Sequence, residues 1–405
     1  MIDLGLARIG RLVQQTPQTW KAIHVAGTNG KGSICAYLSA MLSASGLTHA
    51  RFTSPHLIDR WDCIAINGKP VSEAVFRDAE EVVKQRDREG KVGATEFELL
   101  TATAFELFHR HRVEYGVVEV GLGGRLDATN ILQQKAVTVI AKIGVDHQSF
   151  LGNTIEEIAL QKAGIMHSGV PCVVDPSNQP SVLRVLEEHA REVGALLHFP
   201  VIESIEGTLA AEGFELHQIQ NLACAHLAFR LACPEHDYPL AQLLPAIKAT
   251  QWPGRLQHLN LQKLTGRSNP VLLDGAHNSQ SAEVLAAYVD KHFRAKGKQP
   301  VTWVLAATRG KDVGGIFGLL LKPGDRVAAV QFGPVNGMPW IKPVIPASLL
   351  QVAVEQGVEK AALHDAGDDV RGALSWAVQA AGDGPVVIAG SLYLVSSVLR
   401  LLRET

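Results

Sequence analysis

The residues with the clearest chemistry lie in Ala26–Ser33, "AGTNGKGS". Gly27, Gly30 and Gly32 let the backbone turn where other residues resist, so successive N–H groups can face one anion. Thr28 and Asn29 complete the turn, Lys31 adds a full positive charge, and Ser33 adds a hydroxyl suited to phosphate or a hard cation. The usual phosphate loop reads G-x-x-x-x-G-K-[ST], whereas here Gly32 separates Lys31 from Ser33. A plain strand-to-helix turn needs one or two glycines, not three around a lysine, so the segment reads as a variant phosphate loop.

Five more segments add polar groups. Glu119 opens "EVGLGGRLDATN" with Arg125 and Asp127 behind it, and is either an ordinary strand-end carboxylate or an oxygen ligand for Mg²⁺. Asp146 and His147 follow another apolar run. A lone His more often makes a structural hydrogen bond, but beside a phosphate loop and Glu119 it suggests a metal role. Lys162 in "QKAGI" reads by itself as a solvated lysine. Asp274 and His277 in "LLDGAHN", and Arg255 in "WPGR", form a second polar group late in the chain.

These residues need elements to place them. "KAIHVAG" (21–27), "EYGVVEVG" (114–121), "AVTVIAKIG" (136–144) and "GVPCVVD" (169–175) are apolar runs separated by helical patterns. Such runs indicate a parallel sheet buried on both faces, with ligands at its carboxyl edge. A helix is expected at about 31–45, another opening at the capping box Thr154–Glu157, a third at 179–194 and a fourth near 221–233. The alternation restarts in "PVLLDGAHN", "PVTWVLAAT", "DRVAAVQF" and "GPVVIAGS". The polar stretch Thr265–Asn269 marks the expected boundary, giving domains 1–266 and 267–405. The fold class expected is α/β: a parallel-sheet ATPase domain with a phosphate loop, and a smaller Rossmann-like C-terminal domain, with a ligand cleft between them.

The 405 residues are 46% hydrophobic with a formal net charge of −2, so neither a basic surplus for nucleic acid nor a charged tail stands out. Five scattered cysteines favour reduced thiols over a disulfide framework. No apolar run reaches the roughly 18 residues of a membrane span. A cytosolic location is expected, with the mitochondrion as the alternative.

"AGTNGKGS", "FTSPHL", "EVGLGGRLDATN", "DHQSFLGNT", "QKAGI", "WPGR" and "DGAHN", in this order, closely resemble the folylpolyglutamate synthase/dihydrofolate synthase family of the Mur ligase superfamily. "TEFELLTATAF", "GMPWI" and "GSLYL" resemble its eukaryotic, fungal-type dihydrofolate synthases. The resemblance implies that ATP phosphorylates the carboxylate of 7,8-dihydropteroate and that L-glutamate then attacks, giving 7,8-dihydrofolate, ADP and phosphate. Extension of folate tails, alone or as a second activity, is the alternative. The resemblance further implies Mg²⁺ at two sites, with Ser54, Glu119 and His147 as ligands, and Lys162 as a carbamate. It places the nucleotide on residues 27–33, Asn221, Arg255 and Asp274. It places the pterin substrate on Ile2, Asp3, Leu4 and Gly5, on Thr95, Glu96, Phe97 and Glu98, and on Leu126, Asp127 and Ala128. Lys31, Glu119, His147, Lys162 and His277 are the expected catalytic set, in a monomer. Gln148, Gln161 and "TRGKD" (308–312) depart from the family pattern and leave the glutamate pocket undefined.

Overall fold

The computed structural model describes residues 3–250, 252–295 and 299–405. The chain divides into two compact units: residues 1–56 with 61–251, and residues 57–60 with 252–405.

The N-terminal unit is built on eight strands: β1 (Lys21–Ala26), β2 (His49–Phe52), β3 (Ile64–Ile66), β4 (Lys69–Pro70), β5 (Tyr115–Glu119), β6 (Lys135–Ile140), β7 (Pro171–Val174) and β8 (Leu196–His198), in the order β4-β3-β2-β5-β1-β6-β7-β8. From β2 to β8 the pairing is parallel, and β3 and β4 fold back antiparallel at one edge. Every residue of β5 is buried and only Lys21 of β1 is exposed, as a sheet covered on both faces requires. One face packs Ile23 and Val25 against Ile34, Leu38 and Met41 of helix Lys31–Ala44 and Leu222 and Phe229 of helix Leu216–Ala232. The other carries Trp20, Phe105 and Phe108, with Trp20 edge-on to both phenylalanines at 5.5 and 5.0 Å.

Gly116 on β5 makes room for that cluster: a Cβ there would lie 2.4 Å from two atoms of the Trp20 ring. Gly116→Ala therefore overpacks the core and is expected to cost about 1–3 kcal/mol, read as a lower urea midpoint at unchanged slope. A midpoint equal to the parent's would mean that Trp20 has room to move.

All five cysteines lie in this unit, and each is a buried free thiol. Burial pushes the Cys172 thiol up to about 12 and that of Cys233 to about 11.

The C-terminal unit has six strands, β9 (Gln257–Leu259), β10 (Val271–Leu273), β11 (Thr302–Leu305), β12 (Arg326–Ala329), β13 (Leu363–Asp365) and β14 (Val386–Ala389), ordered β13-β12-β11-β14-β10-β9. All pair in parallel except β9, which runs antiparallel to β10 with His258 opposite Leu272. That pairing corrects the expected boundary at 266/267. Residues 252–266 belong to the C-terminal unit, because β9 within them pairs with β10. Leu57–Arg60 joins this unit as well: Arg400 donates to the Ile58 carbonyl and Arg403 pairs with Asp59, each at 2.8 Å.

The expected strands at 21–27, 114–121, 136–144 and 169–175 and the helix starting near Lys31 are all present. Unforeseen were β2–β4 and the helices Glu73–Gly90 and Glu96–Arg110.

Candidate functional site

Residues 27–30 form a turn at the carboxyl end of β1 and lead into the 14-residue helix Lys31–Ala44. Gly30 is the N-cap, left-handed at φ 88°, and a Cβ there would fall 2.2 Å from Asn221 Oδ1. Only glycine fits, and it brings no side chain to the helix's first amides, which leaves the positive helix end suited to an anion. Thr28 pins the turn: its hydroxyl donates to the Gly144 carbonyl at 2.9 Å, and its amide donates to the Lys142 carbonyl at 2.8 Å. Asn221, from helix Leu216–Ala232, is buried against Gly30, so the expected nucleotide contact does stand at the loop.

Lys31 Nζ lies 3.7 Å from Glu119 Oε1 and donates to the Thr28 carbonyl at 3.2 Å. Glu119 Oε2 accepts from the Ser54 amide at 3.2 Å. Ser54, Lys31 and Glu119 thus meet at the ends of the adjacent strands β2, β1 and β5. Lys162 is buried in the last turn of helix Ile155–Ala163 and donates to the Gly27 carbonyl at 2.9 Å. Burial, reinforced by the charge of Lys31 and opposed by Asp146 and Asp127, brings its ammonium down to about 7. The solvated-lysine reading is thereby corrected. His147 is left-handed at φ 55°; its amide donates to Asp146 Oδ1 at 2.8 Å and its ring lies 3.9 Å from the same oxygen.

The three segments expected to touch the pterin come together through residues that the sequence reading passed over. Arg8 binds Asp3 Oδ2 at 2.7 Å and Glu98 Oε2 at 2.9 Å. The Gly5 amide donates to the Leu126 carbonyl at 3.1 Å. Thr95 and Glu98 form a capping box that starts helix Glu96–Arg110, a T-x-x-E signal legible in "TEFE". Glu98 is therefore a buried structural carboxylate. Glu96 and Leu126 are exposed, and Phe97 stacks on Phe52 with centroids 6.1 Å apart. Asp127 is enclosed and accepts from the Leu122 and Thr129 amides at 2.8 and 3.0 Å; burial raises its carboxyl and these bonds oppose that shift. Asp127 shapes the loop, and Ala128, also buried, packs among Ile9, Leu12 and Leu99. Leu4 is half-buried, and Ile2 lies outside the described residues.

The C-terminal unit carries its own group. Asp274, at the end of β10, accepts from the Leu256 and Ala276 amides, each at 2.8 Å; burial raises its carboxyl while Arg255 and these amides pull it back. Arg255 donates to the Gly254 carbonyl at 3.0 Å, and Leu256 is left-handed at φ 44°. His277 Nδ1 donates to the Gly275 carbonyl at 2.8 Å, which leaves the lone pair of the neutral ring on Nε2.

The residues fit a nucleotide phosphate chain: an uncapped helix end, an ammonium and a turn that excludes a Cβ. For a metal, no three His, Cys, Asp or Glu side chains among the described residues form a ready cluster. Ser54, Glu119 and His147 offer a hydroxyl, a carboxylate and an imidazole. The two oxygen donors, Ser54 and Glu119, stand together and suit Mg²⁺, which keeps waters and takes substrate phosphate oxygens.

A parallel sheet with this loop and lysine at its carboxyl edge defines a nucleotide-using α/β protein. The family model for the dihydrofolate synthetase C-terminal domain matches residues 257–401. The chain is 38% identical to the probable dihydrofolate synthetase of Schizosaccharomyces pombe, covering 99% of both, and 36% identical to the dihydrofolate synthetase of Saccharomyces cerevisiae, covering 99% of this chain and 98% of that one. Among solved structures, E. coli FolC in complex with DHPP and ADP superposes with a TM-score of 0.80 at 26% identity, covering 100% and 94% of the two chains. A bifunctional folylpolyglutamate synthase/dihydrofolate synthase with Mn, AMPPNP and L-glutamate bound gives 0.79 at 27% identity, covering 100% and 95%. The chain belongs to the folylpolyglutamate synthase/dihydrofolate synthase family.

Proposed function

We propose that this protein joins L-glutamate to 7,8-dihydropteroate at the expense of ATP, through an acyl phosphate, releasing 7,8-dihydrofolate, ADP and phosphate. The observation that carries the reading is the meeting of Lys31, Glu119 and Ser54 at one strand edge, with Lys162 tied to the Gly27 carbonyl of the same loop. In the first step a carboxylate oxygen of dihydropteroate attacks the γ-phosphorus and ADP leaves. In the second the glutamate amine attacks the acyl carbon, the C–N bond forms, and phosphate and a proton depart. Little covalent help is needed from the protein, and positioning and charge carry most of the rate.

Residues 27–33 bind the phosphates, Lys31 neutralises the charge that develops on them, and Asn221 orders Gly30. Ser54, Glu119 and His147 are the residues that would hold Mg²⁺, at two sites, and the ions would offset phosphate charge. The segments joined by Arg8 hold the pterin, with Phe97 and Leu126 as its apolar surface. The N-terminal unit is the nucleotide-binding body; within the C-terminal unit, resemblance to the family assigns Arg255 and Asp274 as nucleotide contacts and His277 as a supporting residue. We place the protein in the cytosol as a monomer, with the mitochondrion as the alternative compartment. No helix among the described residues is long and apolar enough to cross a membrane.

The full-length match to fungal proteins named dihydrofolate synthetase favours dihydropteroate as the acceptor over preformed folates. The test offers the purified protein ATP, Mg²⁺ and glutamate with dihydropteroate in one reaction and tetrahydrofolate in another. ADP release and product with dihydropteroate alone is expected. Turnover with both makes the enzyme bifunctional, and turnover with neither overturns the reading.

A further inference from the structure

Lys135 is a buried ionisable residue that the mechanism does not use. Lys135 begins β6, is buried, and places Nζ 2.7 Å from Asn130 Oδ1, 2.9 Å from the Ile165 carbonyl and 3.1 Å from His167 Nε2. Burial brings its ammonium down to about 7, and in that form its three protons have three acceptors around them. Asn130 is equally committed. Its Oδ1 accepts from Lys135, and its Nδ2 donates to the Arg125 carbonyl at 3.1 Å and the Gly164 carbonyl at 3.0 Å. The amide orientation is thereby fixed, because the flipped amide would set its oxygen against the Arg125 and Gly164 carbonyls.

These bonds cross a gap in the chain. Arg125 and Asn130 flank Leu126–Ala128, while Gly164 and Ile165 directly follow the helix that ends in Lys162 and Ala163. A further bond from the Arg125 amide to the Gln161 carbonyl, at 2.8 Å, closes the same seam. The loop is also held from the sheet side. Thr129 Oγ1 donates to Asp127, so His24 Nε2, 2.9 Å from that hydroxyl, must be the donor to it. The route from Lys135 through Asn130 reaches the end of the helix carrying Lys162, alongside the Arg125–Gln161 bond.

We propose that Lys135 is a positioning residue for dihydropteroate: acting through Asn130, it holds Leu126–Ala128 in register with the end of the Lys162 helix. This rests on the reading of Leu126–Ala128 as a pterin contact. Besides the Lys162 bond to the Gly27 carbonyl, the nucleotide loop has anchors of its own in Thr28, Gly144 and Lys142, so the two substrates respond differently.

Asn130→Asp is the cleanest probe. It keeps an acceptor for Lys135 and replaces the donor to Arg125 and Gly164 with an oxygen. In the full-length enzyme it is expected to raise KM for dihydropteroate at least fivefold and leave KM for ATP within twofold. Amide hydrogen exchange over 122–129 is expected to speed up at least tenfold. Lys135→Met is expected to give the same split, and the double variant no more than either single one. Should Lys135→Met fail to fold, Asn130→Asp carries the test alone. Unchanged exchange, or KM values for both substrates rising together, overturns the proposal. Faster exchange with neither KM moved also overturns it, since the brace would then hold the loop without serving the substrate. A parent enzyme inactive on dihydropteroate overturns the functional reading instead, and exchange still reports whether the brace exists.

Discussion

Lys31→Ala is expected to lower kcat roughly a thousandfold while the protein stays folded, the scale seen when a preorganised group facing transition-state charge is removed. Lys31 heads the helix Lys31–Ala44 and points its ammonium at Glu119 and the Thr28 carbonyl, where a phosphate chain would lie. None of the core clusters includes it, so its loss opens no cavity. There is a secondary effect with a definite sign. The charge of Lys31 helps lower the Lys162 ammonium, so its removal lets the Lys162 pKa rise. ADP release under saturating substrates, with a thermal melt as control, checks the result. A variant within tenfold of the parent would remove Lys31 from the phosphate clamp.

Lys162→Ala is the second large effect, expected to lose most of the activity and to regain part of it with a small carboxylate such as acetate. A carbamate forms when a neutral amine attacks CO₂ and loses a proton, making a carboxylate-like group from a lysine. An ordinary lysine, with a pKa of about 10.4, offers few neutral amines at neutral pH. Lys162, lowered to about 7 by burial, has half its amines neutral there. The sign follows: capacity for CO₂ rises as pH climbs through 7 and falls below it. The parent enzyme should lose activity in CO₂-free buffer, most readily below pH 7, and recover with bicarbonate at pH 8. The alanine variant should ignore bicarbonate. An unchanged rate in the variant would remove the carbamate from the mechanism.

Much of this frame was legible because buried parallel strands are near-continuous apolar runs and helix starts carry caps. β1, β5, β6 and β7 announce themselves in this way, as does Thr154–Glu157. The antiparallel edge β2–β4 is short and mixed in composition, so no period marks it. "TEFE" carries a capping signal beside the expected substrate contact, and Glu98 faces Arg8 and its own helix start. Arg8, Asn130 and Lys135 could not be found by spacing. Their partners lie 90 residues away for Arg8 and Glu98, and 30 for Lys135 and Ile165, and only the folded chain brings them together. The boundary was misplaced because a polar linker and a half-exposed edge strand look alike until the strand pairs.

The cysteines give the molecule a clock of its own. All five sit in the N-terminal unit, buried, while the C-terminal unit has none. Thiolates are the reactive form, and burial hides these sulfurs and keeps Cys35, Cys172, Cys224 and Cys233 protonated. A thiol reagent added to the native protein should therefore react only as fast as the N-terminal unit opens. Slower labelling with ATP present would then measure how firmly the nucleotide closes that unit, with no label to engineer and no signal from the other half of the chain.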